Sequence, residues 1–523
     1  MTLRRVALAA CVAAACAAPV PAEPASDAAA ILQTRVDQIR DGTAVTIEGE
    51  AIASAVVLPE FYEQRGFQLA WTDAEARADL LAALRASEAD GLDPRDYHVP
   101  AIEARMRAPK SAENDAGLDL LATDAVIRLA YHLRFGKVDL ATIEPDWTFK
   151  AQAESENSEP PAQALERAVE QHRVRAALDA LRPTHWFYPA LRRALEQYRA
   201  IQAAGGWRAL LDGPAPKPGA PDPRLEALEQ RLAVEGDLES PPRAAVALYD
   251  SVQVAAVKRF QERHGLNPDG VIGKATLRAF NVPVETRIDQ LRISLERGRL
   301  LLHDLPQRFV LVNIPAFRVI YVDGKGSAMT SRVVVGKPFT QTPIFRADMT
   351  YAVLNPSWTI PPGIMKREVR PAMAKDPGYL ERKGYVMVGT QVVQPPGPNN
   401  ALGRLKLMFP NRHHVYLHDT PSREKFAFDE RSFSNGCIRV ERIVELAALA
   451  LDDPKWSREQ LEAAIATGST RNITLARRLP VLLTYWTAVI EPGTERPRFF
   501  DDVYRRDSEF LAALDQPFRF RRP

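Results

Sequence analysis

The apolar pattern of the chain changes near residue 308, and that change constrains the fold more than any other feature. Before it, apolar residues recur at helical spacing: Leu80, Leu81 and Leu84, then Leu118, Leu121, Ala122, Ala125, Val126 and Leu129. After it come short β-rich runs: Phe309–Pro315, Arg318–Val322, Arg332–Gly336 and Tyr351–Asn355. Helical and strand patterns in separate blocks point to an α+β arrangement or to separate domains. A chain of 523 residues also exceeds what one hydrophobic core usually serves. A multidomain α+β fold is therefore expected. Its parts are a helical N-terminal region over 31–240, a compact helical unit over 245–283, a β-rich domain over 308–490 and a C-terminal tail over 491–523. Pro and Gly clusters, such as Gly213 to Gly219 and Pro241-Pro242, break the helical region. A Pro- and Gly-rich stretch over about 361–410 reads as a capping insertion within the strands.

The N-terminus carries an export pattern. Arg4 and Arg5 precede an apolar run of 13 residues, Val6 to Ala18. Such a run is short of the ~20 residues a spanning helix needs. Val20-Pro21-Ala22 follows as a cleavage site, so residues 1–22 read as a secretory signal, with 23–30 as a tether. The alternatives are an uncleaved membrane anchor and, from Leu8-Ala9-Ala10-Cys11, a lipid-modified cysteine. The formal net charge is +2 with no long Lys/Arg run, so nucleic acid is not an expected partner.

Cysteine use sharpens the reading. Cys11 and Cys16 lie in the signal, which leaves Cys437 alone in the mature chain and allows no internal disulfide. A lone thiol is either a small buried apolar residue or a reactive group. Its surroundings favour reactivity. His414 to His418 reads as a strand in which Val415 and Leu417 face the core while His414, Tyr416 and His418 share the other face. A 15-residue polar segment, Asp419 to Phe433, leads to Ser434-Asn435-Gly436-Cys437-Ile438-Arg439-Val440. Gly436 permits a tight backbone path before Cys437. Val440, Ile443, Val444 and Ala447 fit a helix, which would put Cys437 at a helix N-terminus that favours a thiolate and an oxyanion. His418 is the expected base, and Arg439 is placed to recognise a carboxylate or to brace the loop. His413, His414, His418 and Asp419 cluster without a second cysteine, so no metal site is read and no cofactor is expected. His98, His132, His172 and His185 are read as core or surface residues.

Two resemblances follow. Residues 245–283, with AVKRFQERHGLNPDGVIGKATLRAFN, resemble the three-helix peptidoglycan-binding module of wall enzymes. Gly336-Lys337-Pro338, Thr342-Pro343, Asn355-Pro356-Ser357-Trp358, Tyr416 to Pro421 and Ser434 to Val440 together resemble the YkuD-type L,D-transpeptidases. The domain arrangement is similar to that of the large YcbB-like branch. The resemblance maps the nucleophile onto Cys437, the catalytic histidine onto His418, and the motif serine, glycine and arginine onto Ser434, Gly436 and Arg439. Asn435 departs from the second histidine common in the family. The resemblance also implies that a backbone carbonyl orients His418, with Tyr416 as a helper near the oxyanion or simply a ring packed on the sheet. It implies an exported, periplasmic enzyme acting on peptidoglycan stem peptides. Cys437 would hold a tetrapeptide stem as a thioester, and an amine would resolve it into a 3→3 crosslink. A carboxypeptidase or endopeptidase on the same scaffold, and a non-catalytic wall-binding scaffold, are the alternatives.

Overall fold

The computed structural model describes residues 27–144, 146, 159–243 and 246–520. The signal and the first half of the expected tether lie outside the described residues. Among the described residues, no helix is long and apolar enough to cross a membrane. The chain divides into two compact units. One holds residues up to 80 together with 98–127 and 160–174; the other holds the remainder.

The first unit is helical. Asp27–Arg40, Val57–Gln64, Val99–Arg107 and Pro161–Glu170 each bury one apolar face, and the first of them begins inside the stretch expected as tether. Several of its buried polar groups pair with one another. Tyr62 donates to Asp119 at 2.7 Å, and His98 lies between Asp124 at 2.9 Å and Glu50 at 3.1 Å. His98 is thus a core residue held by two carboxylates. His172 of this unit is exposed, and His132, in the second unit, is buried.

In the second unit, Ser251–Arg263 and Lys274–Phe280 form the expected compact module. Asp250 caps the first of these, its side chain accepting from the N–H groups of Val252 and Gln253. Phe260 stacks on Phe280 at 3.7 Å between ring centroids. The third helix is Leu225–Val234, whose Leu225, Leu228 and Leu232 enter the same core. The module therefore begins before residue 245. The polar stretch from Glu235 to Arg243 conceals this in the sequence.

The β-rich part is a closed sheet. Its strands are β1 Phe309–Asn313, β2 Arg318–Val322, β3 Ser327–Gly336, β4 Phe345–Leu354, β5 Leu405–Met408, β6 Leu417–His418, β7 Ser432–Ser434, β8 Ile438–Val440 and β9 Arg471–Thr484. Their order is β7-β3-β8-β6-β5-β4-β9-β1-β2, and β2 also pairs with β3, so eight strands close on themselves with β7 outside the ring. Closure leaves few free edges. Helices Phe187–Ala203, Val284–Leu301 and Ile443–Leu451 share its core.

Three expectations change here. Leu405–Met408 pairs with Tyr351–Leu354, so the end of the expected 361–410 insertion belongs to the closed sheet. The remainder joins the preceding strand Trp358–Thr359 in a small sheet with Gln391–Gln394 and Val386–Val388, which packs with short helices around Ile360, Val369 and Val392. The strand expected over His414–His418 is only Leu417–His418. The Asn411 side chain takes the N–H groups of His413 at 3.0 Å and Val415 at 3.2 Å, and His414 has φ +54°, so a local turn replaces ladder pairing. Cys437 does not start a helix. It precedes strand β8, and the helix begins at Ile443. Ile438-Arg439-Val440 alternates β-branched and polar residues, and it pairs on both sides.

Candidate active site

Parallel pairing of β6 with β8 builds the site. Leu417 stands opposite Ile438 and His418 opposite Arg439, while antiparallel β5 sets Leu407 beside Leu417 and Lys406 beside His418. Side chains alternate across the pleat, so Leu407, Leu417 and Ile438 form one fully buried row. Each such burial contributes about 1.5–3 kcal/mol, which pins the register. The same register sends Lys406, His418 and Arg439 to the opposite face. Cys437, one residue before β8, falls beside Tyr416, and Ile438 N–H donates to the Tyr416 carbonyl at 3.1 Å. Cys437, His418, Tyr416, Arg439 and Lys406 therefore share one face. The structure brings together every residue singled out in the Ser434–Arg439 motif and in Tyr416–His418.

The turn carrying Cys437 is held from several sides. Ser434 Oγ donates to the Cys437 carbonyl at 2.6 Å and accepts from Gly436 N–H at 3.1 Å. Ser434 is buried and acts as the clip of this turn. Gly436 has φ +114°, where a side chain would be strained. Its carbonyl accepts from Thr342 Oγ1 at 2.9 Å, and Lys337 N–H donates to the Ser434 carbonyl at 3.0 Å. Tyr504 donates to the Gly336 carbonyl at 2.7 Å, so the C-terminal segment supports the loop beneath the thiol. Asn435 donates to Glu368 of the insertion at 3.2 Å.

His418 is buried, and its Nδ1 lies 2.5 Å from the Asp419 carbonyl. That contact makes Nδ1 the donor, so in the neutral ring Nε2 is the acceptor nitrogen. Burial pushes the imidazole down to about 3, Arg439 adds to the shift, and the Asp419 and Leu402 carbonyls oppose it. The ring is neutral at pH 7. Asp419 is fixed in turn: its carboxylate accepts from Arg404 N–H at 3.0 Å and from Arg423 at 3.3 Å.

Burial raises the Cys437 thiol above its usual range. Tyr416, through its N–H and its hydroxyl, then Arg439 and Lys406, pull it down. Sγ is 3.8 Å from the His414 carbonyl. With no helix end at the sulfur, the thiolate is not pre-formed, contrary to the expectation from sequence. Burial also lowers Lys406, and it pushes the Tyr416 hydroxyl well up, while Trp358 of the insertion hydrogen-bonds that hydroxyl. Arg439 Nε is buried without a hydrogen-bond partner among the described residues. The clustered histidines diverge: His414 is exposed, and His413 faces Asp146 at 3.4 Å.

Sequence reasoning missed Lys406 and Gly403, and it met Trp358 only as the end of a motif segment. Leu405-Lys406-Leu407-Met408 does alternate, which is the signal that would have placed Lys406 on the face of His418.

Three expected results follow from this geometry. Lys406→Met removes a cation beside the sulfur, so Cys437 should alkylate about three- to tenfold more slowly at pH 8, and Lys406→Arg should restore most of the rate. Equal rates in all three proteins would remove Lys406 from the site. The second result concerns Gly403, which has φ +62°, and a Cβ there would lie 2.5 Å from Asp419 Cβ. Gly403→Ala should cost about 1–3 kcal/mol and displace the carbonyl that holds His418. Gly468→Ala, at φ +71° with nothing within 4 Å, carries the backbone penalty alone and should leave turnover intact.

The third concerns acid. His418 titrates near 3 when folded, against about 6.5 when unfolded. Between those values the unfolded chain binds a proton that the folded chain refuses. Stability linked to His418 is thus full above about pH 6.5 and falls as the pH drops. From pH 7 to 5 the wild type should lose about 2 kcal/mol more than His418→Asn in urea unfolding. Equal losses would show that the ring is not held neutral.

Comparison with known families places these elements. Residues 307–470 match the L,D-transpeptidase catalytic domain (YkuD), residues 221–280 the "Putative peptidoglycan binding domain", and residues 57–195 a scaffold domain. The chain is 30% identical over 204 residues to a protein of Haemophilus influenzae described as "Putative L,D-transpeptidase", covering 35% of this chain and 42% of that relative's length. Among solved structures, an avibactam carbamoyl enzyme of Ldtfm aligns with 39% of this chain and 64% of its own at 12% identity and TM-score 0.20. An L,D-transpeptidase from Xylanimonas cellulosilytica aligns with 52% and 99% at 17% identity and TM-score 0.19.

Proposed function

We propose that this chain, which carries an L,D-transpeptidase catalytic domain and a peptidoglycan-binding domain, forms 3→3 crosslinks between peptidoglycan stems through a thioester on Cys437. The observation that supports this most is the shared sheet face: one free thiol, one neutral imidazole and two cations. Cys437 Sγ attacks the carbonyl of the third residue of a tetrapeptide stem. Its proton moves to His418 Nε2 as the C–S bond forms, because neither group ionises beforehand at neutral pH. Lys406 and Arg439 offset the charge that develops near the sulfur. The His418 proton then passes to the leaving D-alanine amine. An amine of a second stem attacks the thioester and gives up a proton to His418; the C–S bond breaks, and His418 returns that proton to the Cys437 sulfur. The unpartnered Arg439 Nε holds a substrate carboxylate. The enzyme acts in the cell envelope, where its substrate lies, and residues 1–22 would export it.

Incubation with purified tetrapeptide stems, read by mass spectrometry, tests this. The expected product is a dimer that has lost one D-alanine. A stem that loses D-alanine without dimerising would assign water as the acceptor. Unchanged stems would contradict the proposal.

A further inference from the structure

Away from the Cys437 face, a cavity of about 180 Å³ opens between the turn 265–268 of the wall-binding module and strands β2 and β3. Four arginines line it: Arg318, Arg332, Arg431 and Arg498. Two of them have carboxylate partners. Arg332 pairs with Glu441 at 2.8 Å, and Arg498 pairs with Glu491 at 3.0 Å. The other two do not. Arg431 is 8% exposed and spends its guanidinium on backbone carbonyls, among them Val333 at 3.2 Å and Phe317 at 3.3 Å. The Arg318 guanidinium has no hydrogen bond or ion pair among the described residues. The nearby acids offset these charges only in part: Glu491 and Glu262 attract Arg318, Asp429 and Glu441 attract Arg431, and the Asp429 carboxylate also accepts from Asn267 N–H at 2.9 Å.

Arg498 supplies a second, independent sign. It is only 6% exposed, yet its Nε has no hydrogen-bond partner. A buried donor left open is costly unless something outside the chain accepts from it. Burial and the neighbouring arginines push Arg431 down to about 10 and lower Arg318 as well. An oxyanion would relieve both strains, and planar guanidinium groups match a carboxylate or a phosphate in two-point contact.

We propose that this cavity is a second ligand site, which binds a carboxylate of a peptidoglycan stem peptide. The inference rests on the transpeptidase reading only for the choice of ligand. One wall belongs to the peptidoglycan-binding domain and the other to the catalytic domain, so a stem held here is kept beside the enzyme while another reacts. Exposed Phe428 and partly buried Leu266 give an apolar rim for the stem's methyl groups.

The test uses the full chain carrying Cys437→Ala, so that nothing turns over. Calorimetric titration with the tetrapeptide stem should resolve two sites. Adding Arg318→Gln should weaken one of them about tenfold, and Arg318→Lys should recover part of the loss. Arg318 has no partner to lose, so the fold should survive, and the catalytic-face site serves as an internal control. A stem with its carboxylates converted to amides should fail at the Arg318-dependent site. A single site indifferent to Arg318 would overturn the proposal. So would inorganic phosphate filling the Arg318-dependent site while the stem does not compete. A chain that binds stems through Arg318 yet makes no crosslink refutes the enzymatic reading and leaves this site standing. A chain that crosslinks without Arg318-dependent binding does the reverse.

Discussion

Cys437→Ala should abolish crosslinking completely while the protein stays folded. Alanine keeps the turn, since the bonds that hold it run through backbone groups and Ser434: the Cys437 carbonyl accepts from Ser434 Oγ, and Gly436 N–H donates to that same oxygen. Only the sulfur is lost. The thiol is half-buried and shares no ion pair, so the stability change should stay within about 1 kcal/mol. No second thiol is present among the described residues to take over, and water cannot retain the stem for an amine. Thermal unfolding and the stem assay, run on the same preparation, read the two halves of this prediction. Loss of fold would leave the assay uninformative about the nucleophile. A folded variant that still crosslinks would remove Cys437 from the chemistry.

His418→Ala is the second large effect. Removing a general base typically costs about 10²–10⁴-fold in rate. The upper part of that range is expected here, because the thiol lies above its usual range and no helix end assists it. The comparison is with His414→Asn. His414 is exposed, offers Sγ only its backbone carbonyl, and sits at φ +54°, which asparagine tolerates. That variant should keep turnover within a few-fold. Alkylation separates two roles of His418. If the ring helps to take the thiol proton, iodoacetamide should react more slowly with His418→Ala at neutral pH. Fast alkylation with slow turnover would instead make His418 the donor to the leaving amine. A larger loss in His414→Asn than in His418→Ala would require a different base.

Local alternation explains what was legible in the sequence. Val415 and Leu417 flank Tyr416, and His418 follows, so two core residues announce which face the others share. The two-residue overlap of β6 with β8 then places Cys437 and Arg439 on that face. The misreading of Cys437 has a local cause. Val440, Ile443, Val444 and Ala447 fit helical spacing, whereas Ile438-Arg439-Val440 is too short for strand alternation to register. Its identity as a strand comes from neighbours that lie more than 100 residues earlier, at Val333 and Val334. Closure of the sheet has the same character, since β9 pairs with β1 across some 170 residues and nothing local signals it. Lys406 lay hidden because Pro395, Pro398 and Gly403 mark its surroundings as loop. The carbonyl that orients His418 belongs to the next residue, Asp419, and only the register of β5 against β6 turns it toward the ring.

The central claim is that Cys437 carries the stem as a thioester, and trapping that species tests it most directly. The full chain is mixed with a tetrapeptide stem and no acceptor, quenched in acid within the first turnover, and weighed intact. A parallel sample receives a carbapenem, whose strained carbonyl should acylate the same thiol. The account predicts a mass increase equal to the stem less D-alanine, and a carbapenem adduct. Both should map by peptide analysis to Cys437, and both should be absent from Cys437→Ala. An adduct on another residue, or an adduct that persists in Cys437→Ala, would contradict it.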